Sequence, residues 1–298
     1  MTGAEAGFLL LTSHLGNPER KVLTSAQLRI LSSRVQMAEK QDLQRELEQQ
    51  DLIAMGYGRE MAERMLKLFS EEELLHHYCR KGEKQGCVPL TRITAQYPSR
   101  LWSKLGEETP GCLWCKGDVS LLAQPKVALV GSRDILQRNR GFAAEVGRQA
   151  ALQGYVLVSG NARGADQCAQ QACLRAGGRV ISVVADCLAE KQEKQNVLYI
   201  SEDEYDAPFS AQRAISRNRV IHGLAEMTFV AQCGYKEGGT WDGTAKNLRH
   251  GWSNVFCFAD GTPAMELLQQ LGAEQISITD LKDFATLPRK NSGFLDDF

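Results

Sequence analysis

Two short apolar runs in this sequence each end in a glycine turn that carries an arginine. Val127-Ala128-Leu129-Val130 stops at Gly131-Ser132-Arg133, and Tyr155-Val156-Leu157-Val158 stops at Ser159-Gly160-Asn161-Ala162-Arg163-Gly164-Ala165-Asp166. Glycine adopts backbone conformations closed to other residues and lets a ligand come close to the main chain. A helix that opens at such a turn points unpaired N–H groups at whatever sits there, which makes it an anion site. Arg133 and Arg163 add planar, charged forks that match phosphate. The chemistry expected here is the binding of a nucleotide or a nucleic-acid backbone. The glycines could instead do no more than make tight turns, but the pairing of two turns with two arginines favours phosphate. Asp166 reads as a helix cap, because a carboxylate would repel the anion.

Positioning these turns takes a particular architecture. A strand, a glycine turn and a helix in succession, repeated once, is how a parallel doubly wound sheet is built, with ligands beyond the carboxyl ends of its strands. A third strand is expected at 179–185, a fourth at 197–201, and two more at 227–231 and 255–258. Between the last two, Lys236-Glu237-Gly238-Gly239-Thr240 turns into a helix and adds Gly239 and Thr240 to the candidate ligand edge. Ser216 to Ile221 lies on a helix that ends at Gly223. The first 85 residues or so read as short helices: one capped by Ser25, one in the charged run 40–50, one over 60–69, and a fourth opened by a capping box at Ser70-Glu71-Glu72-Glu73. Residues 82–98 carry glycine, proline and charge and mark a boundary, and 288–298 are polar and expected to be loose.

Composition narrows the classes. The 298 residues are 43% hydrophobic and 24% charged with a formal net charge of −1, so any polyanion site must be a local patch rather than a basic coat. Phe8-Leu9-Leu10-Leu11 is too short to span a bilayer and has no basic region before it, so the expectation is a cytoplasmic protein without a membrane partner. Nine cysteines without an export signal read as reduced thiols. Cys112 and Cys115, with Cys79 and Cys87 upstream, are weighed as zinc ligands and set aside for want of a second closely spaced pair, and His76 and His77 read as surface residues. No metal and no cofactor is expected.

Taken together, Tyr97-Pro98, Leu101, Gly131-Ser132-Arg133, Ser159-Gly160-x-Ala162-Arg163-Gly164-x-Asp166 and Arg217-Asn218-Arg219-x-Ile221 resemble the DprA/Smf family of DNA-processing proteins, over about residues 95–262. The resemblance implies an extended Rossmann-like domain at 91–275, a small N-terminal helical domain at 1–90 and a tail at 276–298. It implies a homodimer that binds single-stranded DNA and, in transformation, loads a RecA-type recombinase. Carried over, Gly131, Ser132 and Arg133 contact the DNA backbone, and Ser159, Gly160, Arg163 and Gly164 form a second wall. Arg217 and Arg219 complete a positive pocket with Asn218 as hydrogen-bonding partner. The chain departs from the family where Ala214-Ile215-Ser216 stands in place of an aromatic before Arg217, leaving Phe209 as the substitute for base stacking. The residues after the last strand are too few for the family's winged-helix tail. The glycine-rich 238–244 and the divergent 8–31 look more like family members from mobile or antiviral defence loci, some paired with a toxin.

Three functions follow as alternatives: a non-enzymatic binder of single-stranded DNA in processing, recombination or defence; a regulatory module that binds a nucleotide or restrains a cognate toxin; and an enzyme. The first is the expected one. A Gly-x-Gly-x-x-Gly fingerprint after the first strand and a P-loop are both missing. Asn247 stands where nucleotide-cleaving relatives of this sheet carry an acid/base glutamate, and an amide cannot supply the proton. If the chain is an enzyme after all, Asp242, in the third glycine turn, is the carboxylate that could be presented to a ligand, though it reads better as a turn or cap residue.

Overall fold

The computed structural model describes residues 1–37 and 46–289. Among the described residues five helices come first: α1 (Gly3–Thr12), α2 (Ser25–Met37), α3 (Gln49–Ala54), α4 (Arg59–Phe69) and α5 (Glu72–Glu83). The chain then enters a sheet through β1 (Cys87–Thr91), α6 (Ser99–Leu105) and β2 (Cys112–Lys116). The two anticipated units follow as β3 (Lys126–Val130), α7 (Gln137–Leu152), β4 (Val156–Ser159) and α8 (Ala165–Arg175). After β5 (Arg179–Val183) and β6 (Val197–Ser201) come α9 (Ala211–Ser216), α10 (Asn218–Leu224) and β7 (Met227–Val230). The described chain closes with α11 (Gly238–His250), β8 (Asn254–Phe258), α12 (Pro263–Gln270) and β9 (Glu274–Ile276).

The strands form one sheet in the order β1-β2-β6-β5-β4-β3-β7-β8-β9. β1 and β2 pair antiparallel with each other, and β2 with β6; the remaining pairs are parallel. This is the doubly wound, mostly parallel α/β sheet the sequence implied. Every residue of β3 is buried, as a central parallel strand covered on both faces requires. Its side chains alternate between two apolar layers. Val127 and Leu129 face Phe142, Val146 and Ala169 of α7 and α8, while Ala128 and Val130 face Leu101, Val220 and Met265 of α6, α10 and α12.

The N-terminal helices share in this core as well as making their own. Leu9, Leu10, Leu75 and Tyr78 join the α7/α8 layer, where Tyr78 packs on Trp114 and Tyr205 at ring-centroid distances of 5.6 and 4.6 Å. Leu11, Leu28, Leu52 and Met65 form a separate cluster. Packing thus crosses the boundary expected near residue 90, and β1 lies astride it. Packing also crosses the one expected at 276: Leu281, Phe284 and Leu287 insert into the main core. The Gln153 side chain straps that segment down, donating to Leu281 O (2.9 Å) and accepting from Phe284 N (2.7 Å).

Several local expectations shift. Thr24 rather than Ser25 caps α2, through reciprocal bonds with Gln27 at 3.3 and 3.0 Å. Ser70 does not open α5; its hydroxyl turns back to Lys67 O at the end of α4 (2.9 Å). The helix expected over 40–50 falls largely outside the described residues, and α3 begins at Gln49. β1 and β9 were not foreseen.

Candidate nucleic-acid interface

The three glycine turns meet at the carboxyl edge of β4, β3 and β7, laced by main-chain bonds. Ser132 N donates to Gln232 O (2.9 Å), and Ala165 N donates to Ser132 O (3.2 Å). The Ser132 hydroxyl bonds to the same Gln232 oxygen at 3.2 Å, so it braces the turn. Three of the glycines answer to protein packing rather than to a ligand, and at Gly131 a Cβ would lie 2.5 Å from the Ala165 Cβ. Gly164, at φ +90°, lets the second turn pass under the first; a Cβ there would lie 2.2 Å from Arg133 O. At Gly160 a Cβ would fall 1.8 Å from Nη1 of Arg217, whose guanidinium fills that space.

α7 does not start at its turn. Leu136 is its N-cap, so its first N–H groups are set back from Gly131–Arg133 and cannot act as the anion site expected there. α8 does open directly after Gly164, and Asp166 locks the turn by accepting from Ala162 N at 3.1 Å. Asp166 is buried, which pushes its carboxyl pKa up, while Arg217 opposes it from nearby. Ser159 Oγ, which has no partner in hydrogen-bonding geometry among the described residues, lies against the same carboxylate and helps to hold its charge.

The four arginines fall into three kinds of place. Arg133 is exposed and has no hydrogen-bonding or ionic partner among the described residues. Arg163 is 73% exposed and reaches Asp134 at 3.0 Å. Arg217 is only 7% exposed; its Nη1 donates to Val183 O (2.8 Å) and its Nε has no partner among the described residues. Arg219 points elsewhere. It pairs with the buried Glu202 (2.6 Å) and donates to Glu108 O (3.0 Å), on the wall of a different cleft. Residues two apart on a helical turn face nearly opposite ways, so Arg217 and Arg219 cannot converge on one pocket. Asn218 ties α10 to the third turn, donating to Gly239 O at 2.8 Å.

Two concave spaces share Arg133, Ala162 and Arg217 as a common wall. The first, a groove of about 440 Å³, adds Gly160, Asn161, Arg163 and Asp186 and is flanked by Phe209, which is 56% exposed. The second, a cavity of about 490 Å³, adds Ser132, Asn218, Glu237, Gly239 and Thr240. Phe209, offered by the sequence for base stacking, flanks the groove, whereas Asp186 and Glu237 were not among the expected site residues and had no local signal in the sequence.

Residues weighed for catalysis or metal sit away from these spaces or are used internally. Asn247 is buried, donating to His222 Nδ1 (3.0 Å) and Ser253 Oγ (2.9 Å) and accepting from Ser253 N (2.9 Å). Its amide therefore makes Nδ1 of His222 an acceptor, and burial lowers the imidazole pKa to about 3. Asp242 lies within α11 rather than in a turn and borders the Arg219 cleft. Cys112 and Cys115 stand three apart on β2 and pack into opposite layers of the core, so the pair cannot clamp one ion. No described helix is long and apolar enough to cross a membrane.

Known proteins share the sequence pattern and the fold. The family model described as DNA recombination-mediator protein A matches residues 89–262. DNA processing protein DprA of Bacillus subtilis is 29% identical over 234 residues, covering 72% of this chain and 76% of that protein. The DprA of Streptococcus pneumoniae is 34% identical over 142 residues, covering 44% of this chain and 50% of that protein. Its X-ray structure superposes with a TM-score of 0.71 at 26% identity, over 94% of this chain and 97% of the other. DNA processing protein A of Helicobacter pylori, solved for its single-stranded DNA binding mode, shares the fold at a TM-score of 0.55 and 23% identity, over 66% of this chain and 94% of the other.

Proposed function

Because the chain belongs to the DNA recombination-mediator protein A family, that of DprA and Smf, we propose that it binds single-stranded DNA and acts in DNA processing and recombination. The observation that carries this is the groove between the first two turns. Three arginines line it; the carboxylate on its wall, Asp186, is already held by Lys191 at 2.5 Å, and Arg163 carries only an exposed pair with Asp134. Arg133 and Arg163 are exposed at its rim, ready to meet successive phosphates. Phe209 offers a free ring to an unpaired base, which a duplex would keep stacked inside. The buried Arg217 sets the floor and its charge, and Arg219 serves the fold.

The role is binding rather than catalysis. His222 and Asn247 bond to each other and to Ser253, and the carboxylate of Asp166 is committed to Ala162 and Arg217. The family also supports a homodimer that hands its strand to a RecA-type recombinase; solution mass and a recombinase-loading assay test those two points.

A labelled oligonucleotide titrated across salt tests the binding. Each phosphate neutralised on a single strand contributes about −0.7 to the log–log slope, so engagement of Arg133 and Arg163 gives about −1.4 or steeper, and Arg163→Ala makes it shallower by about 0.7. No binding at about 50 mM salt, or a duplex held as tightly as the single strand, overturns the proposal.

A further inference from the structure

We propose that the 490 Å³ cavity beside the groove is a nucleobase subsite, and that the Glu237 carboxylate selects a base bearing an exocyclic amino group. This deepens the single-stranded DNA reading and rests on it. The cavity lies at the topological switch of the sheet, where the chain runs from β3 to β4 on one side and β7 pairs on the other, the place where such sheets leave a crevice. Its size falls within the range of about 300–1,000 Å³ typical of small-molecule sites.

Charge separates the two spaces. In the groove Arg163 pairs with the exposed Asp134 and Asp186 is held by Lys191, which leaves Arg133 free at the rim. The cavity shares Arg133 and Arg217 and is lined by Asp134, Asp166 and Glu237, and its histidine, His222, is held neutral by burial. The unpartnered Glu237 opposes a phosphate in the cavity and is absent from the groove. What the cavity offers is an apolar wall on α9, from Ala211, Ala214 and the half-exposed Ile215, facing hydrogen-bond acceptors. The Glu237 carboxylate makes no hydrogen bond among the described residues, although it caps α11 in position. Asn218 spends its Nδ2 on Gly239 O, which leaves Oδ1 to accept. A flat, uncharged ring with N–H donors on its edge fits that combination. Cytosine, adenine and guanine carry such an amino group; uracil and thymine present carbonyl oxygens in its place. Arg217, in the shared wall, keeps an unpartnered buried Nε that a base carbonyl could satisfy. The strand would then lay its phosphates over Arg133 and turn one base inward.

Deoxycytidine and deoxyuridine oligomers of equal length compare an edge with the amino group against one without it, the two bases differing at C4, amino against carbonyl, and at N3, an acceptor in cytosine and an N–H donor in uracil. Anisotropy titrations should show the cytidine oligomer bound about fivefold tighter or more, the low end of what one good base-edge contact discriminates. Glu237→Ala should bring the ratio to about one, while Arg163→Ala weakens both oligomers alike and leaves the ratio standing. A ratio of one in the unaltered protein, or a ratio that survives Glu237→Ala, overturns the subsite and leaves the DNA-binding proposal in place. Should neither oligomer bind, that broader proposal falls, and calorimetry with dCMP and dUMP decides the cavity by itself: equal or absent heats overturn it.

Discussion

Arg163 can lose its guanidinium without disturbing the core, because its ion pair with Asp134 joins two side chains that are 73% and 91% exposed. Exposed pairs of this kind contribute about 0–1 kcal/mol. Arg163→Ala should therefore weaken binding of single-stranded DNA while chemical denaturation moves by less than about 1 kcal/mol. Arg217 is the opposite case. It is buried, fills the space over Gly160, bonds to Val183 O and favours the charged form of the nearby Asp166. Arg217→Ala leaves the Val183 carbonyl unpaired in the interior and should cost about 1–3 kcal/mol in urea unfolding. A stable Arg217→Ala protein that merely binds poorly would put Arg217 on the ligand instead. The sequence held the residue types of this site and not their division of labour. Arg217-Asn218-Arg219 reads as one basic cluster, and only the helical twist together with Glu202, distant in sequence, turns Arg219 away. The same limit hid Glu237, which joins the site through the meeting of β3 and β7 and has no local pattern to announce it.

Elements with a strong local period were the ones the sequence revealed. The apolar runs of β3, β4, β5 and β7 and the helices after β3, β4 and β7 needed no tertiary information. The cap of α2 was legible to within one residue, because Thr24 and Ser25 offer near-equivalent side chains to a helix start, whereas α5 starts after Glu71 with no side-chain cap bond. Thr24→Ala should cost about 0.5–2 kcal/mol, while Ser25→Ala should be nearly neutral, since Ser25 has no capping bond. What failed to show was the segment after β9. Leu281, Phe284 and Leu287 stand among charged and polar residues, and no amphipathic period marks them as core. Yet Phe284 is 0% exposed and stacks near Tyr155 and Phe229 at 5.7 and 4.9 Å. Phe284→Ala should therefore destabilise the whole domain by about 3–5 kcal/mol, as loss of a large core ring does. If the thermal midpoint of that variant stays put, the segment is an ornament of the sheet rather than part of it.

At the scale of the whole molecule, β2, α8, β8 and the turn after β7 bring a set of thiols into an apolar interior that also holds a lysine, and the two groups respond to alkali in opposite senses. Burial pushes Cys115, Cys173, Cys233 and Cys257 up to about 12. Unfolding restores each to its ordinary value near 8.5–9, so above that pH the unfolded chain releases protons the native one retains. The stability these thiols contribute is complete below about pH 9 and is lost as pH rises toward 12, at up to about 1.4 kcal/mol per thiol per pH unit. Lys126 runs the other way. Its ammonium, bonded to Leu122 O at 2.8 Å, is buried, which lowers its pKa to about 8. Between about pH 8 and 10.5 the native protein gives up that proton while the unfolded chain keeps it, so Lys126 alone would make stability rise. One lysine against four thiols loses. Thermal midpoints should hold level from neutral pH to about 9 and then fall progressively. Lys126→Met removes the opposing contribution and should steepen the decline just above pH 9, while Cys257→Ala should make it shallower by about one proton. A midpoint that stays flat to about pH 11 would mean that these thiols ionise freely and are not enclosed by the sheet.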